Sequence, residues 1–324
     1  MRTRPLFVGV LAACCCALPA GAMAQSKYPC DTVKFVVPYP PGGASDPMAR
    51  MLMPSMSRRL GTNIVVENVA GAGGSIGVSH VANAKPDGCT WLLGGSSAVI
   101  IGRNLFKHAK DPLESLIPVA QVAATPMVLY VNAQLPVKTV DELVTLLQEN
   151  PTKYSYASPG SGTMHHLLME QFKQRKKVAA SHVPYRGSGP AIQDVLAGHV
   201  AFSFEATSAI IPHLRTGKVR ALATTGDSRS VGLPDVPTMK ELGLSELTVS
   251  NWYALFVPRG TPSAIVDELN KGVREAEETR EVAETLSKMD SLASTQSAAQ
   301  FQQAVNADAP RWERLVKTLG LKVE

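Results

Sequence analysis

Short apolar, often β-branched runs alternate with helix-like segments along most of this chain, and Gly/Ser-rich turns join them. This rhythm constrains the fold more than any other feature. Strand–helix–strand units in series build a parallel sheet with right-handed crossovers. Val33 to Val37 reads as a buried strand, and Pro38 to Ala44 ends it. Ser45 or Asp46 is placed to cap a helix that Pro47 starts, that runs to about Leu60, and that a kink at Pro54 interrupts. Asn63 to Glu67 is a second strand, Gly74 to Ala84 a second helix, and Thr90 to Leu93 a third strand.

The rhythm then repeats. Val119 to Ala123 and Met127 to Val131 read as two strands split by Thr125-Pro126. Thr139 and Glu142 form a capping box before a helix over 140–149. Strands over 154–157, 179–183, 200–204 and 219–224 alternate with helices over 162–174, 189–197 and 207–216. Trp252 to Val257 is again strand-like, and Thr261 caps a long helical region that begins at Pro262. Segment 125–223 reads as its own α/β domain, inserted into a first lobe made of 25–124 and 224–324. The chain thus crosses twice between lobes, near 123–130 and near 220–256, and two crossings allow hinge closure on a ligand.

The first 24 residues read as a secretory leader: Arg2 and Arg4, an apolar stretch from Leu6 to Leu18, and an Ala22-Met23-Ala24 cleavage site. The stretch falls short of the roughly 20 apolar residues a bilayer span needs. A mature chain from Gln25 is expected in the periplasm. Leu11-Ala12-Ala13-Cys14 resembles a lipoprotein cleavage box, which leaves anchoring at Cys14 as the rival reading. The formal net charge is +5, of which Arg2 and Arg4 supply two. The remaining cations are scattered apart from Arg175-Lys176-Lys177, a solvated helix end, so a nucleic-acid partner is excluded. Cysteine and histidine spacings fit no zinc site, and no metal or cofactor is expected.

The turns carry the functional signal. PYPPGGASD (38–46), NVAGAGGS (68–75), GGSS (94–97), SPGSGT (158–163) and YRGSGPA (185–191) each follow an apolar run, and nearly all open a helix. Unpaired N–H groups and the positive dipole end at a helix start suit a carboxylate or phosphate without Arg or Lys. Each Gly alone reads as a turn residue, and Asp46, Ser161 and Thr163 alone as helix caps. The set together points to a cradle for a small anion.

The order and spacing of FVVPYPPGGASDPMAR (35–50), VVENVAGAGGSIG (65–77), KPDGCTWLLG (85–94), LPVKTVDEL (135–143), YASPGSGTMHHL (156–167), HVPYRGSGPAIQDVLAGHV (182–200), LPDVPTMKELGL (233–244) and WYALFVPRGTP (252–262) resemble the Bug family. These are substrate-binding receptors of tripartite tricarboxylate transporters. The resemblance spans nearly all of the chain after the leader. It implies an α/β fold of the type II periplasmic binding class, with two lobes of parallel-rich sheet joined by a hinge. It also implies capture of a small carboxylate without catalysis, delivery to membrane permease subunits, and a monomeric state.

Carried over by position, the resemblance places Tyr39, Gly42, Gly43 and Asp46 of the first loop at the ligand, with Ala72 and Gly73 of the second and Ser96 and Ser97 of the third. The inserted lobe adds Ser158, Gly160, Ser161, Gly162 and Thr163, then Tyr185, Gly187 and Ser188. The family's Asp-Asn pair near the ligand's far end is here Glu205-Ala206, so Glu205 is expected to select the group bound there. In the type II strand order Cys30 and Cys89 stand before neighbouring parallel strands, which favours a disulfide; two free thiols remain the alternative. His165 and His166 read as structural, hydrogen-bonding loop backbone, and Trp91, Trp252 and Tyr253 as packing residues. Neither a nucleophile elbow nor a P-loop lysine is present. Two other functions stay open: a ligand-dependent sensor for a receptor kinase, and an exported enzyme acting on a carboxylate.

Overall fold

A computed structural model describes residues 28–106, 111–291, 293–294 and 296–321. The leader, its cleavage site, Gln25 and Cys14 lie outside these described residues. The first unit is β1 (Thr32–Val37), α1 (Ser45–Leu60), β2 (Asn63–Asn68), α2 (Ser75–Ala82), β3 (Thr90–Gly95) and the short α3 (Pro112–Ser115). A long strand β4 (Leu116–Asn132) follows. The second unit is α4 (Val140–Glu149), β5 (Ser155–Ser158), α5 (Met164–Lys176), β6 (Ser181–Pro184), α6 (Ser188–Ala197), β7 (Phe202–Ala206), α7 (Thr207–Leu214) and β8 (Val219–Thr224). The chain returns through β9 (Ser250–Pro258) to α8 (Ser263–Glu278), α9 (Arg280–Lys288) and α10 (Ala298–Leu319).

The strands run in the order β2-β1-β3-β9-β4-β7-β5-β6, with β8 also paired to β4. Each unit keeps the parallel pairing its rhythm implies. β1 lies parallel between β2 and β3, and β5 parallel between β6 and β7. The joins made by β9 and β4 are antiparallel. Strand β1 is helix-covered, and Val33, Phe35, Val36 and Val37 are buried with Met48, Leu52 and Trp91. Burial on both faces explains why its sequence reads as a continuous apolar run. A second cluster around Val128, Tyr130, Ile192, Val195 and Ile210 fills the other half.

Cys30 and Cys89 precede β1 and β3, whose register pairs Lys34 with Thr90. The Lys34 N–H donates to the Cys89 carbonyl at 2.9 Å. The two cysteines are disulfide-bonded, with their Cα atoms 5.7 Å apart. The Tyr28 hydroxyl and the Trp91 indole N–H both donate to the Gly88 carbonyl and close this corner.

Several local expectations change. Thr125-Pro126 does not split β4. Pro126 sits where the strand leaves β9, at Pro126–Ser250, and meets β7, at Met127–Ala206, so its missing N–H costs the ladder little. Thr225 stitches this point, its hydroxyl accepting from the Met127 N–H at 2.8 Å and donating to the Val249 carbonyl. The two passages of chain between the halves are therefore tied side by side. Neither Ser45 nor Asp46 caps α1: Ala44 stands at the N-cap with no side-chain cap, and the helix runs on through Pro54. Thr261 does not cap α8, because its hydroxyl donates to the Pro258 carbonyl. The long C-terminal helical region is three helices. Thr279 caps α9, and Ser297 with Gln300 forms a capping box on α10. These polar residues compete for helix N–H groups and end the preceding segment.

Candidate functional site

The loops at the C-terminal ends of the parallel strands in both halves converge, as ligand loops of α/β sheets do. They touch across the seam. A Cβ placed on Gly42 would lie 3.2 Å from Gly189 Cα, and one on Gly43 the same distance from Ser188 Cβ. Gly187, at φ +111°, would bring a Cβ to 2.7 Å from Pro40. Between the loops lie two adjacent spaces that share Tyr39, Pro40 and Pro159 in their linings. The outer is a cleft of about 630 Å³ lined by Ala70 to Gly74, Ile76, Phe106, Gly160, Ser161 and Pro184 to Gly187. The inner is a cavity of about 30 Å³ lined by Gly43, Ala44, Ser45, Gly95, Ser97, Thr163, His165, Ser188, Asn251 and Tyr253. On a scale where ~10–15 Å³ holds one water, the inner space takes a small group of atoms.

Three helices start on this inner cavity. α1 presents Gly43, Ala44 and Ser45, α5 presents Thr163, and α6 presents Ser188. None of the three is capped by the side chain of its own N-cap residue, although Ser97 Oγ reaches in from the other half and takes the Met164 N–H of α5. By contrast α4, α9 and α10, which line neither space, are capped by Thr139, Thr279 and Ser297. α7 and α8, whose starts line neither space, are uncapped, and so is α2, whose N-cap Gly74 lines the outer cleft. A helix start carries about half a positive charge and outward N–H groups. Three such starts face one cavity whose lining holds no Lys or Arg.

Side chains hold the loops in place. Asp46 accepts from Arg50 Nε at 2.8 Å and from Asn68 Nδ2 at 3.0 Å, and the same Asn68 amide donates to the Tyr39 carbonyl. Burial alone would raise the Asp46 carboxyl, but the hydrogen bonds from Arg50 and Asn68 outweigh it and hold the group below its ordinary value. The Tyr39 hydroxyl donates to the Gly73 carbonyl at 2.9 Å, linking the first loop to the second. Burial raises the Tyr39 hydroxyl, which stays protonated as a donor. Ser97 Oγ accepts from the Met164 N–H at 3.0 Å and so joins the halves. Tyr185 donates to Asp194, and its hydroxyl is pushed up to about 12 by burial and then by that carboxylate.

Of the residues expected at a ligand, Tyr39, Gly43, Ser97, Thr163 and Ser188 line the inner cavity. Ala72, Gly73, Gly160, Ser161, Tyr185 and Gly187 line the outer cleft, together with Tyr39. Gly42, Asp46, Ser96, Ser158, Gly162 and Glu205 line neither. Gly42 contacts the opposite loop, and Ser96 donates to Asn251. Ser158 meets His182 Nε2 at 2.7 Å, and the Gly162 N–H donates to His166 Nδ1 at 3.1 Å. Glu205, buried at 2 % exposure, turns to His165, with Oε1 at 2.9 Å from Nε2.

The sequence reading missed His165, Asn251 and Tyr253 as cavity residues. Tyr253 reaches the site because β9 pairs with β3 at Gly95–Tyr253, a contact between residues far apart in the chain. The doubled histidine at 165–166 was the visible signal for His165. Among the described residues, no group of three His, Cys, Asp or Glu is arranged to hold a metal ion. None of their helices is long and apolar enough to cross a membrane.

An α/β fold with a cavity where the loops of its two halves meet is the architecture of periplasmic solute-binding proteins. The family comparison is specific: residues 48–321 match the tripartite tricarboxylate transporter family receptor (TctC). The chain belongs to this family. It is 36 % identical over 307 residues to protein BugT of Bordetella pertussis, covering 94 % of each chain. Two solved structures from Rhodopseudomonas palustris share the fold. MatC with bound malate is 33 % identical at a TM-score of 0.84, over 88 % of this chain and 98 % of that one. Rpa4515 with adipate is 31 % identical at a TM-score of 0.86, over 90 % and 98 %. The fold is the type II periplasmic binding fold that the family resemblance implied.

Proposed function

We propose that this protein captures a small organic acid in the periplasm and delivers it to the membrane permease of a tripartite tricarboxylate-type transporter. The observation that carries the reading is the meeting of three helix starts, α1, α5 and α6, none capped by its own N-cap side chain, at one inner cavity. A ligand carboxylate there takes hydrogen bonds from main-chain N–H groups and from the hydroxyls of Ser97 and Ser188, directly or through waters. The ligand enters by the outer cleft. The lobes, 25–124 with 224–324 and the inserted 125–223, close on it about the stitched crossings at Met127 and Thr225. The work is binding, and no covalent step is assigned. The bound malate and adipate of the two relatives support the ligand class. A leader cleaved after Ala24 takes the monomeric chain to its compartment.

Isothermal titration calorimetry tests this. Linear C3 to C6 carboxylic acids, with malate and adipate among them, are titrated into the chain from Gln25. At least one acid is expected to bind at micromolar Kd or tighter, and the matched primary amide or alcohol is not. A full set without binding, or equal binding of acid and amide, would contradict the proposal.

A further inference from the structure

Of the residues lining the two spaces, Arg186 alone has a side chain with a fixed charge. It stands in the turn between β6 and α6, on the outer cleft. Its side chain is exposed and makes no hydrogen bond or ion pair with a described residue. The carboxylate held by the neighbouring Tyr185 hydroxyl, Asp194, stands 3.4 Å from His199 Nδ1 instead. The backbone on either side of Arg186 is clamped. The Tyr185 N–H donates to the Ser158 carbonyl at 2.9 Å and the Gly187 N–H to the Pro159 carbonyl at 3.0 Å. Gly187 also lies hard against Pro40 of the other half. A free guanidinium is thus carried on a fixed turn at the cleft. The first half lines the same cleft with Ala70, Ile76 and Phe106, and Ile76 is 52 % exposed. Apolar walls screen a charge poorly, so they concentrate its field along the cleft.

Resting on the carboxylate-capture reading above, we propose that Arg186 is an entry residue, which draws acid anions into the outer cleft and sets their association rate. It does not hold the captured carboxylate, because it does not line the inner cavity where the helix starts meet. A charge at the rim of a site acts mainly on association and its salt dependence, whereas a charge paired in the bound state acts on dissociation. The attraction scales with the charge of the incoming acid. Arg186 therefore discriminates kinetically, admitting a dianion faster than a monoanion of equal length.

The test is stopped-flow association and dissociation of linear C3 to C6 mono- and dicarboxylates with the chain from Gln25. Rates are taken at about 10 mM and about 1 M ionic strength, where the Debye length is about 30 Å and about 3 Å. At low salt Arg186→Gln should slow association about threefold for monocarboxylates and about tenfold for dicarboxylates, with dissociation unchanged. Arg186→Lys should keep the original rates, since charge and not the guanidinium shape is at work. Arg215, another exposed cation, lines neither space, and Arg215→Gln should also keep them. At high salt all four proteins should converge. Unchanged association in Arg186→Gln, an equal loss in Arg215→Gln, or a loss that appears in dissociation and survives high salt would overturn the inference and leave carboxylate capture standing. So would association to the unaltered protein that does not fall with salt, a result that needs no variant. If only one class of acid binds, its own rates decide. If no acid binds the unaltered protein, both readings fail.

Discussion

His166 and His182 stack face to face beneath the β5–α5 loop, with ring centroids 4.0 Å apart and planes 8° from parallel. Each is tied to that loop as described above, His166 Nδ1 by the Gly162 N–H and His182 Nε2 by the Ser158 hydroxyl. The first bond needs a bare nitrogen, so it exists only while His166 is neutral at that position. Burial lowers both rings, and the neighbouring His166 helps push His182 down to about 3. Both folded values lie below the ~6.5 of an unfolded chain. The unfolded chain therefore binds more protons between about 6.5 and about 3, and stability falls as pH drops through that window. Urea midpoints at pH 7.0 and 4.5 should show the loss, and His182→Gln should shrink it. An equal loss in the variant would remove His182 from the account. The pair was partly legible in the sequence, since the histidine run at 165–166 read as loop-bonding and His166 is. The role of His165 was not legible, because its partner Glu205 arrives from β7, forty residues away.

Strands and helices carry a different signal, one that depends on neighbours in sequence. The parallel β1–α1–β2–α2–β3 unit follows from apolar runs and glycine turns alone, and so do α4, with its Thr139 cap, and α6, which ends at Gly198. The starts of α1, α5 and α6 were legible as places but not as ends their own N-cap residues leave uncapped, because Asp46 and Thr163 are competent caps that the fold uses otherwise. At this scale the contact between Gly187 and Pro40 is the sharpest test. Gly187→Val meets backbone strain of about 1–3 kcal/mol and also drives a side chain into the opposite loop. Gly217 has a positive φ of +70° with nothing within 4 Å of a Cβ, so Gly217→Val carries the strain without the clash. Acid affinity should fall at least about tenfold in Gly187→Val and stay near the starting value in Gly217→Val, with far-UV circular dichroism unchanged in both. Equal affinities in the two variants would mean that this approach of the loops plays no part in binding.

For the molecule as a whole, two sheet halves share β4, and the site exists only where their loops meet. Fold class was legible because the βα rhythm repeats on both sides of a break near residue 125. The length of β4, its handover at Pro126 and the arrival of Asn251 and Tyr253 from β9 were not, since each depends on antiparallel pairing across long stretches of chain. The central claim is that three helix starts from both halves hold the ligand's carboxylate without a cationic side chain. A crystal structure of the protein with the tightest-binding acid measures this directly. A carboxylate within hydrogen-bonding reach, directly or through one water, of the main-chain N–H groups around Gly43–Ser45, Thr163 and Ser188 is the result the account predicts. A carboxylate paired instead with an Arg or Lys side chain, or lodged in the outer cleft clear of all three helix starts, would contradict it.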